Sequence, residues 1–537
     1  MKTTALLAIL LTTALAAAGA ASIAALRLPI ATILGDQAGA DMAAMHGGIA
    51  GDDPHAQLGM DRPRFPPAAG SVPTADQARH LKQVSRITIS KDSEFNPANG
   101  VSSGTGTLAD PYRITGLDVT GDLYIADTDA CFEVVGNWVD GQLILNWDGQ
   151  CVWVHHNFVR DLRVNENVQR TGIDTGGLIE LNQINYVGQI RHYDGEFRDN
   201  VVGPRQDAAL PFGVFQDPEN LLPFAQDTRV LNIDGWNEAL FHHNTIYGST
   251  DLKLHGHHHS TGFLASHSHY HGDGKAPHPE DHTARWESVS FQHNQIVDPQ
   301  GYGLRYSDEQ HAGDDRTAPS ESNTDLEKPH QHHTLVDITG NTLDGAGIWV
   351  DILNADDELH TKRDPAWFTI ADNTVSLTER HPGLLGAKSF GQRYEPNTAI
   401  WIWQSKEGDV KVTGNTMTFQ KAPSSDPLHA ADPILQAFEW WSGDETPTAV
   451  HLLDARDGAY TVAGNHATGF DYGVRAANMD EKANWAVYDD DWGAAANPVY
   501  YDDTVQNKPS ESPLPAGPGP YDDAPAAAPA HAGHHHG

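Results

Sequence analysis

The stretch CFEVVGNWVDGQLILNWDGQCVWVHHNFVRDLRVNE, residues 131–166, lies on itself when shifted by 20 positions. Cys131 falls on Cys151, Asn137 on Asn157, Val139 on Val159 and Ile144 on Val164. Short β-branched runs separated by Gly, Asn and Asp turns read as strands, and they rule out a helical solenoid. A unit this short cannot bury its apolar face alone, so it must stack on its neighbours.

The same mark, Asn followed one residue later by an apolar residue, recurs along the chain. It appears as GNWV (136–139), HNFV (156–159), LNQI (181–184), DNVV (199–202), HNTI (243–246) and HNQI (293–296). It continues as GNTL (340–343), DNTV (372–375), GNTM (414–417) and GNHA (464–467). Second short strands, such as GIWVDI (347–352) and YGVRAA (472–477), follow several of these marks. The arrangement this demands is an all-β, single-chain parallel β-helix, in which each coil pairs with the next about 4.8 Å away. Stacked asparagine amides would then hydrogen-bond along the axis. Uneven spacing between marks means that some coils carry long insertions.

The segment GTGTLADPYRITG (104–116) resembles the glycine-rich lead-in of secreted right-handed β-helix repeat proteins. These include groups similar to the periplasmic copper-associated NosD and carbohydrate-binding CASH proteins. With the repeats, the resemblance covers roughly residues 85–480 and implies a right-handed parallel β-helix. It implies no activity, because lyases, hydrolases, epimerases, adhesins and non-catalytic proteins share the fold.

Domain organisation follows. Residues 1–20 read as a secretory signal, with small residues Ala18-Gly19-Ala20 before the cut. The low-charge run to Leu26 also allows an uncleaved N-terminal anchor as the one membrane contact. Residues 21–84 read as linker, 85–505 as the β-helix with a His-rich insertion at 255–285, and 506–537 as a disordered Pro/Ala/His tail. The expected location is therefore extracellular, periplasmic or on the cell surface. A formal net charge of −38 and a mean hydropathy of −0.47 fit a soluble exported body. The charge repels nucleic acid and suits divalent cations.

The chain holds 31 His. The densest run includes His255, His257, His258, His259, His267, His269 and His271, and HSHYH places three imidazoles on one face of an extended segment. Imidazole nitrogens suit Zn²⁺, Cu²⁺ or Ni²⁺, and with two cysteines in all a thiolate site is excluded. His243 and His293 precede the repeat Asn and are candidate ligands on neighbouring coils. The same position elsewhere holds Gly or Asp, so a left-handed turn is the stronger reading. Met42, Met45, His46, His55 and Met60 offer a weaker copper set in the linker. Asp351, Asp356 and Asp357 offer oxygen ligands for Ca²⁺ or form a solvated loop.

Catalytic residues are not assigned. AGDDRT (312–317), NTD (323–325) and LHGHH (254–258) echo polygalacturonase motifs in reversed order, the first two in a charged insertion rather than on a strand. Trp401 and Trp403 alternate to one face, as core residues or as a platform for carbohydrate. The functional expectation is a non-catalytic metal-binding β-helix protein. The alternatives are a protein that binds or cleaves extracellular polysaccharide, and a structural surface protein. Cys131 and Cys151, equally placed on consecutive coils, have an expected Cα separation of about 4.8 Å, which admits a disulfide. A stacked thiol pair is the other reading.

Overall fold

The computed structural model describes residues 70–147, 151–166, 177–193, 195–203, 229–236, 238–254, 285–297, 303–308, 332–351, 366–379, 397–403, 408–421, 446–455 and 458–515. Within them the chain winds as the repeat requires. A typical coil begins with Glu238–His242 in a 13-stranded sheet and turns at His243-Asn244. It then contributes Thr245–Tyr247 and Ser249–Leu254 to a 23-stranded sheet. The three-residue strand belongs to a short arm of that sheet and the six-residue strand to a long arm. Each strand pairs in parallel with its equivalent one coil on: Glu238 with Ser288, Thr245 with Gln295 and Thr250 with Leu304. The protein is an all-β parallel β-helix.

Inside the coils, residues in register form apolar columns. Val134, Val154, Ile179, Phe197, Phe241 and Phe291 succeed one another along the 13-stranded sheet, all buried. The rings of Phe197, Phe241 and Phe291 are spaced 5.7 and 6.5 Å apart. At the corner leaving this sheet, ten asparagines form a continuous ladder: 137, 157, 182, 200, 244, 294, 341, 373, 415 and 465. Each Nδ2 donates to the next ladder residue's side-chain oxygen, as from Asn244 to Asn294 at 2.9 Å and Asn294 to Asn341 at 3.1 Å. Each Nδ2 also donates to a strand carbonyl one coil back, Asn294 to Phe241 O at 2.9 Å. The same side-chain oxygens accept the preceding asparagine's backbone N–H, as at Asn294 from Asn244 at 3.0 Å. The ladder thus satisfies the polar groups that a tight buried corner would otherwise orphan.

Both ends extend past the boundaries expected from the sequence. Residues 74–77, TADQ, form a capping box on the helix Ala75–Ala78, with Thr74 and Gln77 exchanging side-chain to backbone bonds. Lys82–Val84 then pairs with Leu117–Val119, so ordered structure begins inside the expected linker. At the other end, Gln506 N–H donates to Met479 O at 3.0 Å. Ser510 exchanges backbone bonds with Trp485 and Val487 at 2.9 Å each. Within the expected tail, Ser510 therefore bridges to Ala486 on the last strand of the 13-stranded sheet. The last long-arm strand, Asn497–Tyr501, keeps a free edge among the described residues. Asn497 N–H points inward to Asp471 O, which turns the next position outward, and there Pro498 has no N–H to offer.

The lead-in motif has a mechanical explanation. The N–H groups of Thr105, Gly106 and Thr107 all donate to Asp110 O, at 2.9, 3.0 and 3.3 Å. Gly104 has φ +99°, and a Cβ there would lie 1.9 Å from Pro111 O, so only glycine fits. Cys131 and Cys151 form a disulfide across a Cα separation of 4.8 Å, matching one coil rise, and no free cysteine remains.

Candidate functional site

The residue before each ladder asparagine adopts a left-handed backbone whatever its side chain. φ is +54° at His156, +54° at His243 and +52° at His293, beside +52° at Asp199, +53° at Asp372 and +68° at Gly340. Histidine at this position is compatible with the corner, and a shared backbone conformation accounts for its recurrence. The exposed rings of His243 and His293 stack with centroids 5.4 Å apart. A Cβ at Gly340 would approach His293 Nδ1 to 2.4 Å, so glycine on the next coil leaves room for that ring.

These two histidines are not next to the ends of the His-rich insertion. The insertion departs after Leu254 and returns at Arg285, the first residue of the strand Arg285–Gln292. His293 follows the other end of that strand, about 23 Å away at strand rise. His255, His257, His258, His259, His267, His269 and His271 lie outside the described residues, as do Met42 to Met60, Asp356 and Asp357. Asp351 ends the strand Ile348–Asp351, in register with Ser307 and Trp403. Among the described residues, no group of three or more His, Cys, Asp or Glu converges as a metal site.

A constellation that the sequence reading missed lies on the outer face of the 13-stranded sheet. His155 Nε2 meets Glu133 Oε1 at 2.8 Å, and His155 Nδ1 meets His156 Nδ1 at 2.9 Å. The unit is repeated: His242 Nε2 meets Glu196 Oε1 at 2.7 Å, and His242 Nδ1 meets His243 Nδ1 at 2.7 Å. Each carboxylate accepts from Nε2–H, so Nδ1 faces the second imidazole and one proton is held between the two rings. Trp153 stacks on His155 at 4.1 Å and donates to Glu180, which also accepts from Arg198. Burial holds the His156 imidazole below its ordinary value, the neighbouring His155 adds to this, and Glu180 opposes it. The doublets HHN at 155–157 and 242–244 were the available signal. Their partners, 22 and 46 residues away, become visible only once the register is known.

The second cluster lies on the outer face of the long arm. Arg305, Trp349, Trp401, His451 and Arg475 occupy one register column over successive coils. Trp349 stacks on Trp401 at 4.9 Å, Trp401 on Trp403 at 5.6 Å, and the Arg305 guanidinium lies 4.7 Å over Trp349. Trp403 Nε1 donates to Asp454 at 2.9 Å. With Leu453 these tryptophans form a cluster separate from the coil interior. They are nevertheless buried, Trp401 to 2% exposure and Trp403 to 7%. The pair named in the sequence therefore shares one face, outside the coil core but screened from water. Comparison with known proteins adds no relative: no family model, no curated protein and no solved structure matches this chain.

Proposed function

We propose that the chain is an exported, non-catalytic member of the right-handed β-helix repeat superfamily that takes up a divalent transition metal on its His-rich insertion. One observation carries this reading, namely where the insertion is mounted. Leu254, its point of departure, is in register with Asp308, the point at which the next coil's insertion departs. Arg285 and Trp286, where it returns, are in register with His332 and His333. The coil rise thus sets Arg285 and Trp286, the residues that follow the His-rich segment, about 4.8 Å from two further histidine positions. Both cysteines are held in the disulfide, so the donors are imidazole and carboxylate, suited to Zn²⁺, Cu²⁺ or Ni²⁺. The net charge of −38 concentrates cations around the body.

Titration of the full chain with each metal, read by calorimetry and elemental analysis, is expected to give at least one bound equivalent. His267→Ala, His269→Ala and His271→Ala combined are expected to remove it. Failure of the wild-type chain to take up Zn²⁺, Cu²⁺ or Ni²⁺ would end this reading. The stacked Trp349, Trp401 and Trp403 beside Arg305 favour a second reading, an extended polysaccharide laid along the long arm. It ranks below the first because the strip is closed to solvent. If a panel of neutral and uronate polymers neither binds nor is cleaved, with Trp401→Ala as control, it is abandoned.

A further inference from the structure

We propose that Asp490 is a proton-operated clasp at the C-terminal end of the solenoid, closing the asparagine ladder when protonated and loosening the last coil when ionised. Asp490 occupies the eleventh ladder position, after Asp489 in the same left-handed backbone (φ +57°) that precedes the asparagines. Its Oδ1 does what every ladder oxygen does, accepting from Asn465 N at 2.7 Å and Asn465 Nδ2 at 2.8 Å.

The difference is the other oxygen. At all ten asparagines Nδ2 donates to a strand carbonyl one coil back, ending with Asn465 to Val412 O at 2.9 Å. Val412 is in register with Val462, so the carbonyl that the eleventh position should meet is Val462 O. By that register the second carboxylate oxygen of Asp490 takes the place of the asparagine Nδ2, and Oδ2 is buried without a hydrogen-bond partner. Two acceptors cannot bond. A proton on Oδ2 supplies the donor that the asparagines carry permanently.

The surrounding groups act in the same direction. Burial pushes the Asp490 carboxyl up to about 6, against the two bonds from Asn465, and the adjacent Asp489 adds to the rise. The other titratable groups nearby are Tyr488 and the exposed pair His466–Asp491, at 3.0 Å. Hydrogen bonding from Gly493 N–H holds Asp491 below its ordinary value, so its own effect falls at lower pH. For a carboxyl raised from 3.8 to about 6, the folded end binds its proton more tightly than the opened end. The stabilisation is therefore complete below pH 3.8 and is lost as pH rises through about 6. Each pH unit in that window changes the opening constant tenfold, or roughly a hundredfold in all.

Hydrogen exchange followed by mass spectrometry on the full chain, at pH 4.5 to 7.5 and corrected for intrinsic rates, reads this directly. Peptides from 458–501 are expected to lose roughly thirtyfold in protection between pH 4.5 and 7.5, the part of the window sampled, while peptides from 332–351 stay flat. Asp490→Asn should abolish the pH dependence and hold the acid-level protection throughout, and Asp489→Asn should leave the dependence in place. A flat profile in the wild-type chain, or an unchanged slope in Asp490→Asn, overturns the proposal. Should Asp490→Asn fail to fold, the wild-type and Asp489→Asn profiles decide alone.

Discussion

Replacing Asn294 by alanine is expected to lower stability by about 4 kcal/mol, near the upper end for a single side chain. Four buried hydrogen bonds end at this amide. Asn244 reaches its oxygen through backbone N and through Nδ2, at 3.0 and 2.9 Å. Its own Nδ2 reaches Phe241 O at 2.9 Å and Asn341 Oδ1 at 3.1 Å. At about 1 kcal/mol each the direct loss is already large, and the partners left behind belong to buried residues. Because each coil touches only its neighbours, the damage should centre on the coils of Asn244 and Asn341. Guanidinium unfolding gives the magnitude and hydrogen exchange the location. A loss under about 1 kcal/mol would mean that the ladder is not what holds the corner. Asn294→Asp makes the complementary test: it keeps the accepting oxygen, sets a second against Phe241 O, and should recover stability in acid.

The fold was legible because the ladder is written in the chain one residue per coil, and insertions between coils do not erase it. The two cysteines in equal places gave a separate measure of the coil rise. What lay hidden has specific physical causes. The helix start at Thr74 was signalled by the TADQ box, which sits in sequence otherwise resembling linker. The Glu133–His155 and Glu196–His242 pairs depend on register across turns and, for the second, across residues 204–228. The position of Trp401 and Trp403 could not be read from alternation, because every residue of Thr398–Trp403 is buried. In parallel sheets covered on both sides, inward and outward positions carry the same apolar signal. The metal candidates were legible as composition only, since a loop's histidines carry no register.

Removing the disulfide, by reduction or as Cys131→Ser with Cys151→Ser, is expected to cost about 3 kcal/mol, the value for closing a loop of this length in the unfolded chain. The effect should be localised, because the bond ties two successive coils near one end. Phe132 N–H donates to Cys151 O at 3.2 Å and Tyr112 N–H to Cys131 O at 2.9 Å, so the cysteines sit within the ladder of the 13-stranded sheet. Stacked coils open from their ends, where a coil has one neighbour instead of two. The N-terminal end is thus held by a covalent staple, whereas the C-terminal end relies on Asp490, Ser510 and Pro498. Reduction should raise exchange across residues 101–166 and leave 458–501 untouched; a rise in pH should raise exchange at 458–501, while at 101–166 the depressed His156 imidazole favours the closed coil as pH rises. If reductant shifts neither the unfolding midpoint nor exchange at 101–166, the staple contributes nothing and the pairing of Lys82–Val84 with Leu117–Val119 holds that end without it. If both ends lose protection under both treatments, the solenoid opens as one cooperative body, and the nearest-neighbour picture of its stability is wrong.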